Sequence, residues 1–272
     1  MHLRIYRGMK AILSIAASDC SGGAGIQADI KSIMANGGYA MSVITALTAQ
    51  NTCGVLAVQP STPVFLAQQL DAVFTDIFPD AVKIGMLFSA DLMRIVAEKL
   101  VLYKPKNIVL DPVMVATSGD VLMQTGALHT LKTHLLPLVH LITPNIPEAE
   151  ALVGYRIVSA ETQEAAAQAL YHAYHCAVLV KGGHNQQDAN DVLCNQGQCV
   201  WFKAKRIEGA KVHGTGCTLS SAIATQLAQG LDLVSAIRTA KSYLSGILQY
   251  ALALGKGSSV LPHAGVKQEC LS

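Results

Sequence analysis

The sequence predicts an α/β fold in which a mostly parallel central sheet is covered by helices on both faces. Short β-rich runs alternate with longer helical patterns along the chain, which is typical of βαβ units. Most of those runs are continuously apolar, as strands that are covered on both faces are. Hydrophobic residues make up 51% of the chain and charged residues 14%, so there are enough apolar side chains to build the large core of such a fold.

Six strands are predicted from the apolar runs, and helices from the segments between and after them. The strand sequences are AILSIA, MSVITALT, AVKIG, NIVLDPV, HLITPN and CAVLVKGG. The predicted helices span residues 25–36, 63–78, 90–103, 126–136, 160–174, 218–229 and 233–254. Pro63 supports the second helix because a first helical turn accepts proline. Residues 191–207 predict a β-hairpin around a glycine-containing turn.

The chain shows no linker-like boundary and no internal repeat, so we expect one domain over residues 11–262. Residues 1–10 would form an N-terminal extension and residues 263–272 a C-terminal tail. Basic residues before the run AILSIAA are similar to the start of a signal peptide. Because SDCSGGAGIQAD follows that run without a small-x-small cleavage site, we interpret the run as a buried first strand.

Composition excludes several classes of partner. The formal net charge is +2, no cluster of Lys and Arg concentrates it, and aromatic residues make up only 5%, which argues against nucleic-acid binding. Glycines and amides interrupt the uncharged stretch at residues 32–70, so no apolar run reaches the length of a membrane span. The seven cysteines show no disulfide framework, as is typical of reduced thiols in a cytosol. We therefore expect a cytoplasmic protein that binds a small molecule.

Polar or soft side chains follow the predicted strands at the point where each strand ends. They are Asp19, Gln50, Asn51, Met86, Asp111, Asn145 and Lys181. In an open parallel sheet, ligands bind beyond the carboxyl ends of the strands. Some of these residues could simply cap loops, but together they favour a binding site at this edge.

The stretch HGTGCT, residues 213–218, has the features of an anion-binding turn. Gly214 and Gly216 allow the backbone to point several N–H groups at one place, and the helix that follows adds its positive end. We expect a phosphoryl group in transfer to bind there. The same field is expected to lower the pKa of Cys217, whose thiolate could act as a nucleophile or as a base. The alternative is an ordinary helix start with a small buried residue.

The stretch TPNIPEAE, residues 143–150, contains a candidate Mg²⁺ site. Asn145 and Glu148 can face one point, and Mg²⁺ needs few protein oxygens because it keeps several waters. Glu148 could equally cap the start of a helix. Lys181, in VKGGH, could contact a nucleotide phosphate or be an ordinary surface lysine. The chain contains neither a Walker motif nor a dinucleotide fingerprint, so ATP would bind to another architecture.

Seven motifs give the chain a resemblance to a known family. SDCSGGAGIQAD, TALTAQNT, KIGML, LDPVMVATSGD, TPNIPEAE, VKGGH and HGTGCTLSSAIA occur in the order, and at about the spacings, of the hydroxymethylpyrimidine and phosphomethylpyrimidine kinases of thiamine synthesis. The resemblance extends from residue 11 to about residue 257. That family belongs to the ribokinase-like group, so the resemblance implies a three-layer ribokinase-like fold and a kinase that uses ATP and Mg²⁺.

The resemblance also implies roles for residues near the phosphates. The anion hole for the transferring phosphate would consist of Gly214, Thr215 and Gly216. Cys217 would be the base. Asn145 and Glu148 match the segment associated with the metal, and Lys181 and Asn145 match positions on the nucleotide side.

The pyrimidine pocket implied by the resemblance would be lined by Asp29, Gln50, Met86 and Val113. A carboxylate and an amide can pair with the ring nitrogens and the exocyclic amine of an aminopyrimidine. Two successive transfers are expected, first to the hydroxymethyl group and then to the monophosphate. Because the second acceptor is already an anion, Cys217 should matter mainly for the first.

Three alternative functions remain open on the sequence alone. A pyridoxal kinase is the first, because a pyridine with a hydroxymethyl group has a similar shape; Gln50 and Met86 favour the pyrimidine. The second is a binding protein on a kinase scaffold, against which Cys217 and Glu148 argue. The third is a thiol hydrolase, for which the sequence supplies no histidine-and-acid partner set, since His213 is expected to point away from Cys217. We expect a homodimer that binds neither nucleic acid nor membrane.

Overall fold

The structure, a computed structural model, describes residues 8–116, 118–183, 189–204 and 212–265. Its strands are β1 (Ala11–Asp19), β2 (Tyr39–Asn51), β3 (Gly54–Pro60), β4 (Ala81–Ile84), β5 (Ile108–Leu110), β6 (Leu141–Ile142), β7 (Ala177–Val180), β8 (Asp191–Asn195) and β9 (Gln198–Phe202). They form one nine-stranded sheet in the order β3-β2-β1-β4-β5-β6-β7-β8-β9. The strands from β2 to β7 in that order run parallel, and β3, β8 and β9 are antiparallel to their neighbours. The predicted mostly parallel sheet is confirmed.

Helices cover both faces of the sheet. They are α1 (Gly25–Ala35), α2 (Pro63–Phe74), α3 (Ala90–Tyr103), α4 (Ala127–Thr130), α5 (Ile146–Val153), α6 (Ala160–Tyr174), α7 (Thr215–Ala228) and α8 (Leu233–Leu248). Residues of α1, α7 and α8 form the apolar core on one face, and residues of α2 to α6 form the core on the other. Neighbouring residues of one strand serve both cores, as Ile12 and Leu13 of β1 do, which explains the continuously apolar strand sequences.

Several element boundaries differ from the prediction. The helix predicted over residues 126–136 is α4 followed by a π-helical turn at Leu131–Leu135 and a 3₁₀ turn at Leu136–Leu138, where Pro137 lacks the N–H that an α-helix would need. Helices α2 and α8 end four and six residues before their predicted ends at 78 and 254. The strand β3 was not predicted, and the helix α5 was predicted only through the alternative in which Glu148 caps the start of a helix. Residues 205–207 of the predicted hairpin lie outside the described residues.

The fold brings the carboxyl ends of the parallel strands to one edge of the sheet. Asp19 ends β1, while Asp111 and Lys181 directly follow β5 and β7. The predicted extension and tail lie largely outside the described residues, although His263 is buried and its Nε2 lies 2.9 Å from the Thr218 hydroxyl of α7. Among the helices of the described ranges, none has the length and apolar character needed to cross a membrane.

Candidate active site

The turn that precedes α7 leaves a set of backbone amides available. Helix α7 begins at Thr215, three residues before the predicted start, so residues 215–217 form its first turn. Gly214 has φ 81°, and a Cβ there would lie 1.8 Å from the carbonyl oxygen of Gly23, so only glycine fits. Within the described ranges, no residue accepts a hydrogen bond from the amides of residues 214–217. These amides are the unpaired donors of a helix start, where the helix dipole favours an anion.

Cys217 is half-buried in this first turn. Burial raises the pKa of its thiol to about 11, although the charge of Lys83 and a hydrogen bond from the Gly25 amide act in the opposite direction. The prediction of a lowered pKa is therefore wrong for the unliganded protein. The physical reason is that burial removes water from the thiolate, which raises the pKa by more than the nearby positive charges lower it.

Asp111 and Lys181 form an ion pair beside the turn. The Lys181 ammonium lies 2.7 Å from Asp111 Oδ1, and the side chains are 14% and 3% exposed. Thr143 donates a further hydrogen bond to the same oxygen at 3.0 Å. A Cβ on Gly216 would lie 3.0 Å from Asp111 Oδ2 and 3.3 Å from the Lys181 nitrogen, so the pair adjoins the available amides. Lys181 is not the ordinary surface lysine of the alternative interpretation.

Asn145 and Glu148 form the capping box of α5. The Glu148 carboxylate accepts from the Asn145 amide at 2.8 Å, and the Asn145 side chain accepts from the Glu148 amide at 2.9 Å. The helix-capping alternative for Glu148 is thus confirmed, and the sequence Asn-Ile-Pro-Glu carries the signal that predicts it. Burial raises the pKa of Glu148 to about 7, which Lys181 opposes and Asp111 reinforces. Two carboxylates and one ammonium therefore share a buried region.

This region fits a Mg²⁺ ion that is held largely through water. No group of three or more His, Cys, Asp or Glu side chains with metal-binding geometry occurs in the part of the chain that the structure describes. Mg²⁺, however, is usually held by one or two carboxylates together with substrate phosphates. Asp111 and Glu148 supply that donor set. A cation would stabilise the ionised form of Glu148, which burial and, to a smaller extent, the charge of Asp111 disfavour.

Gln50 lies at the other side of the turn, in contact with His213. The Gln50 side-chain nitrogen is 3.1 Å from His213 Nε2, and the same ring nitrogen is 2.9 Å from Asp19 Oδ2. Burial raises the pKa of Asp19, but hydrogen bonds from His213, Ser21 and the amides of Ser21 and Ala24 outweigh it and lower that pKa to about 2. Asp19 is therefore a fixed anion that accepts from His213 Nε2 and orients the imidazole, so this nitrogen carries the proton and cannot accept from the Gln50 side-chain nitrogen beside it. The side-chain oxygen of Gln50 instead accepts from the Thr48 hydroxyl at 3.0 Å.

Met86 and Val113 belong to a small apolar cluster at the same edge. Ala17, Ala46, Met86 and Leu122 are buried in this cluster, and Val113 packs against them. The backbone oxygen of Met86 accepts from the Thr45 hydroxyl at 2.6 Å, which holds Met86 against β2. These two predicted pocket residues are thus brought together, and they offer an apolar wall.

Asp29 does not lie on a pocket wall. It is 0% exposed, and its oxygens accept from the ammonium of Lys83 at 2.8 Å and from the hydroxyls of Ser14 and Ser221 at 2.5 and 2.8 Å. The role predicted for Asp29 is corrected for this reason, since a side chain without exposed surface cannot pair with a substrate in this structure.

Sequence reasoning missed the pairing of His213 with Asp19 and that of Lys83 with Asp29. Their partners lie 194 and 54 residues apart along the chain, so no local pattern links them. The strand-end rule pointed to Asp19 and Asp111 but assigned neither a role. His213 has an acid partner, Asp19, which the sequence did not identify.

Comparisons with known proteins agree with this geometry. The family model for phosphomethylpyrimidine kinase matches residues 19–262. A thiamine biosynthesis bifunctional protein of Geobacter sulfurreducens is 48% identical over 93% of this chain, and the chain spans about half, 52%, of that relative's length.

Solved structures extend the likeness to the fold. The chain is similar to a phosphomethylpyrimidine kinase from Clostridium difficile, with a TM-score of 0.79, 42% identity and coverage of 87% of this chain and 98% of that one. It is also similar to a pyridoxal kinase from Staphylococcus aureus in complex with AMP-PCP and pyridoxal, with a TM-score of 0.88, 27% identity and coverage of 96% of each chain. The fold is ribokinase-like, as the resemblance implied. The chain belongs to the phosphomethylpyrimidine kinase family.

Proposed function

We propose that this protein uses ATP to phosphorylate 4-amino-5-hydroxymethyl-2-methylpyrimidine and then its monophosphate, in thiamine synthesis. One observation carries the proposal. The amides of residues 214–217 lie between the Asp111–Lys181 pair, which adjoins Gly216, and His213, which contacts Gln50. A phosphoryl group bound by these amides would have the Lys181 ammonium on one side and the Gln50 side chain on the other. We call these the cationic side and the amide-bearing side.

The amide-bearing side suits the pyrimidine. Gln50 has both a donor and acceptors, which complement the exocyclic amine and ring nitrogens of an aminopyrimidine. The Thr48 hydroxyl, which donates to the Gln50 side-chain oxygen at 3.0 Å, restricts the orientation of Gln50, which lowers the ordering cost of substrate binding. Met86 and Val113 supply apolar contacts for the ring and its methyl group. Asp29 is no longer part of this pocket.

The cationic side suits the nucleotide. Phosphoryl transfer depends mainly on positioning and on neutralisation of the charge that spreads over the phosphate oxygens. Lys181 and the amides of Gly214, Thr215 and Gly216 would provide these interactions. Mg²⁺, held by Asp111 and Glu148 through its waters, would supply further charge neutralisation. Asn145 caps α5 through its side-chain oxygen, and it would hold the metal ion through the remaining lone pair of that oxygen.

Cys217 would take the proton of the hydroxymethyl group in the first transfer. Because the pKa of its thiol is about 11, only a small fraction is ionised near neutral pH. The rate of the first transfer should therefore increase with pH over the neutral range, about tenfold per pH unit if the thiolate is required. The second transfer has an anionic acceptor and should lack this dependence.

The test is an assay that couples ADP release to NADH oxidation. We expect turnover with 4-amino-5-hydroxymethyl-2-methylpyrimidine and with its monophosphate. Pyridoxal is the matched comparison substrate, because the Staphylococcus aureus neighbour binds it, and a higher kcat/KM for pyridoxal would establish the alternative function instead. Absence of turnover with both pyrimidines would refute the proposal.

We also propose a cytoplasmic homodimer. Apolar side chains are exposed at the β3 edge of the sheet, where Leu47 and Leu56 are 54% and 78% exposed. A second copy of the chain would cover them. Light scattering coupled to gel filtration should give twice the mass of the chain, and a monomer mass at micromolar concentration would contradict this assembly.

A further inference from the structure

Lys83 is a fully buried lysine in the middle of the sheet. Its side chain and that of Asp29 are both 0% exposed, and the ammonium lies 2.8 Å from each carboxylate oxygen. Burial of an ion pair has a large desolvation cost, and an apolar pair of similar volume is often at least as stabilising. Stability alone therefore does not account for this pair.

The pair contacts α7 at Ser221, one helical turn beyond Cys217. Two of the contacts between α1 and α7 fix this arrangement: the Gly25 amide donates to the Cys217 sulfur, and the Ser221 hydroxyl donates to Asp29 Oδ1 at 2.8 Å. Because each helix contributes residues four apart, the two contacts are separated by roughly 6 Å along the helices. The buried charges are thus fixed below the thiol by packing between two helices.

The ammonium end of Lys83 extends towards the active-site edge of the sheet. A Cβ on Gly85, two residues further along the chain, would lie 2.8 Å from the Lys83 nitrogen. Glycine at position 85 therefore leaves room for this side chain. Ser14 and Ser221 hold the carboxylate of Asp29 through hydrogen bonds, so both charges of the pair have fixed positions.

We propose that Lys83 is a positioning residue for phosphoryl transfer, whose buried ammonium group stabilises negative charge on the Cys217 sulfur. The proposal rests on the proposed function only in giving that sulfur a role as base. Four charged groups face the thiol from the elements around it: Lys83 of β4, Asp29 of α1, Asp111 after β5 and Lys181 after β7. Lys83 is the cation with the strongest effect on the thiol, and Asp29 opposes it.

The two members of the pair should therefore have opposite effects on the thiol, which a purely structural role would not produce. The rate of Cys217 alkylation by iodoacetamide at pH 8.5, followed by peptide mass spectrometry, measures its thiolate fraction without any substrate. Lys83→Met should lower this rate at least tenfold, because a stabilising cation is lost. Asp29→Asn should raise it several-fold, because the opposing carboxylate is lost while Lys83 keeps its charge.

The exposed thiol of Cys53 is the internal control, and its alkylation rate should be the same in every variant. Circular dichroism and thermal unfolding verify folding. If Lys83→Met does not fold because Asp29 is left unpaired, the double variant Lys83→Met/Asp29→Leu takes its place and should still react more slowly than wild type. Rates that are unchanged, or that move in the same direction in the folded Lys83 and Asp29 variants, would overturn the proposal.

Kinetics then separate this inference from the proposed function. In Lys83→Met, kcat for the first transfer should fall at least tenfold, while KM for the pyrimidine and kcat for the second transfer change less than threefold. If alkylation responds as expected but the wild type does not phosphorylate the pyrimidine, Lys83 keeps its effect on the thiol and the proposed substrate is wrong. If the wild type is active and alkylation does not respond, the inference about Lys83 is wrong.

Discussion

Asp19 and Glu148 lie at the same edge of the sheet, yet their surroundings shift their pKa values in opposite directions. Burial favours the neutral form of both. At Asp19 the hydrogen bonds outweigh burial, so its pKa falls to about 2. At Glu148 burial and the charge of Asp111 outweigh Lys181 and the helix-capping bonds, so its pKa rises to about 7. The hydrogen-bond donors around Asp19 outweigh its burial, whereas the groups that favour the ionised form of Glu148 do not outweigh its burial.

The difference indicates what each side of the site needs. On the pyrimidine side, the negative charge of Asp19 is already compensated by hydrogen bonds, which suits a permanent role in orienting His213. On the nucleotide side, Asp111 and Glu148 together exceed the compensation that Lys181 provides. That side is suited to a cation that arrives with the nucleotide. Substitutions at the turn and on each side of it should therefore have different effects.

The largest effect is expected from Cys217→Ala, at the turn between the two sides. The first transfer should slow by about 10²–10⁴-fold, the usual contribution of a general base, while the second transfer keeps most of its rate. Steady-state kinetics with the pyrimidine and with its monophosphate check this. Cys53→Ala, at an exposed thiol, is the matched control. Equal losses in both transfers would show that the thiol is not a selective base.

Glu148→Gln should stabilise the protein at pH 8 in the absence of Mg²⁺. The folded-state pKa of Glu148 is about 7, above the ordinary value of 4.5, so ionisation costs the wild type stability as pH rises from about 4.5 to 7. The expected gain at pH 8 is on the order of 3 kcal/mol, and it should disappear below about pH 4.5. Urea unfolding across this range measures it. Glu98→Gln, on the exposed face of α3, should show no such change. If Glu148→Gln is less stable than the wild type at pH 8, the predicted cost of ionising Glu148 is wrong.

Asp19→Asn should have the opposite sign. The folded-state pKa of Asp19 is about 2, below its ordinary value of 3.8, so its ionised form stabilises the fold above about pH 4. This contribution is lost as pH falls towards 2. The variant should lose about 2 kcal/mol at pH 7, with a smaller deficit at pH 3. Asp76→Asn, at an exposed position, is the control for urea unfolding at both pH values. A loss of unfolding free energy in Asp19→Asn that is larger at pH 3 than at pH 7 would contradict the expected direction.

Gln50→Ala should have the smallest effect. Loss of one or two hydrogen bonds to the ring corresponds to about 1 kcal/mol each, so KM for the pyrimidine should rise about tenfold while KM for ATP changes little. Initial-rate kinetics with each substrate varied measure this. Gln59→Ala, at an exposed position of β3, serves as control. An unchanged KM for the pyrimidine would remove Gln50 from the pocket.

Local patterns in the sequence predicted much of the fold. Pro63 marked the start of α2, and the helix over residues 90–103 has its predicted bounds. The capping box at Asn145 and Glu148 also marks α5, as the alternative interpretation of Glu148 as a helix cap implied. The segment predicted as one helix over residues 126–136 changes from α-helical to π-helical geometry at Leu131, which its apolar pattern does not indicate.

The site was predicted less completely, because its chemistry depends on contacts between distant segments. The turn at residues 214–217 is local in sequence, and so its available amides could be predicted. The pKa of Cys217 could not, because it depends on how deeply α7 packs and on Lys83, far away in the chain. Asp29 was assigned to the pocket by resemblance, whereas its partners Lys83 and Ser221 come from other elements.

The most direct test of the account is a crystal structure with ADP, Mg²⁺, aluminium fluoride and the hydroxymethylpyrimidine. We expect the fluoride group, which imitates the phosphoryl group in transfer, to accept hydrogen bonds from the amides of residues 214–217. The Cys217 sulfur should lie beside the substrate hydroxyl and the Gln50 side chain beside the ring. A fluoride group bound away from these amides, or a sulfur directed away from the hydroxyl, would contradict the central claim.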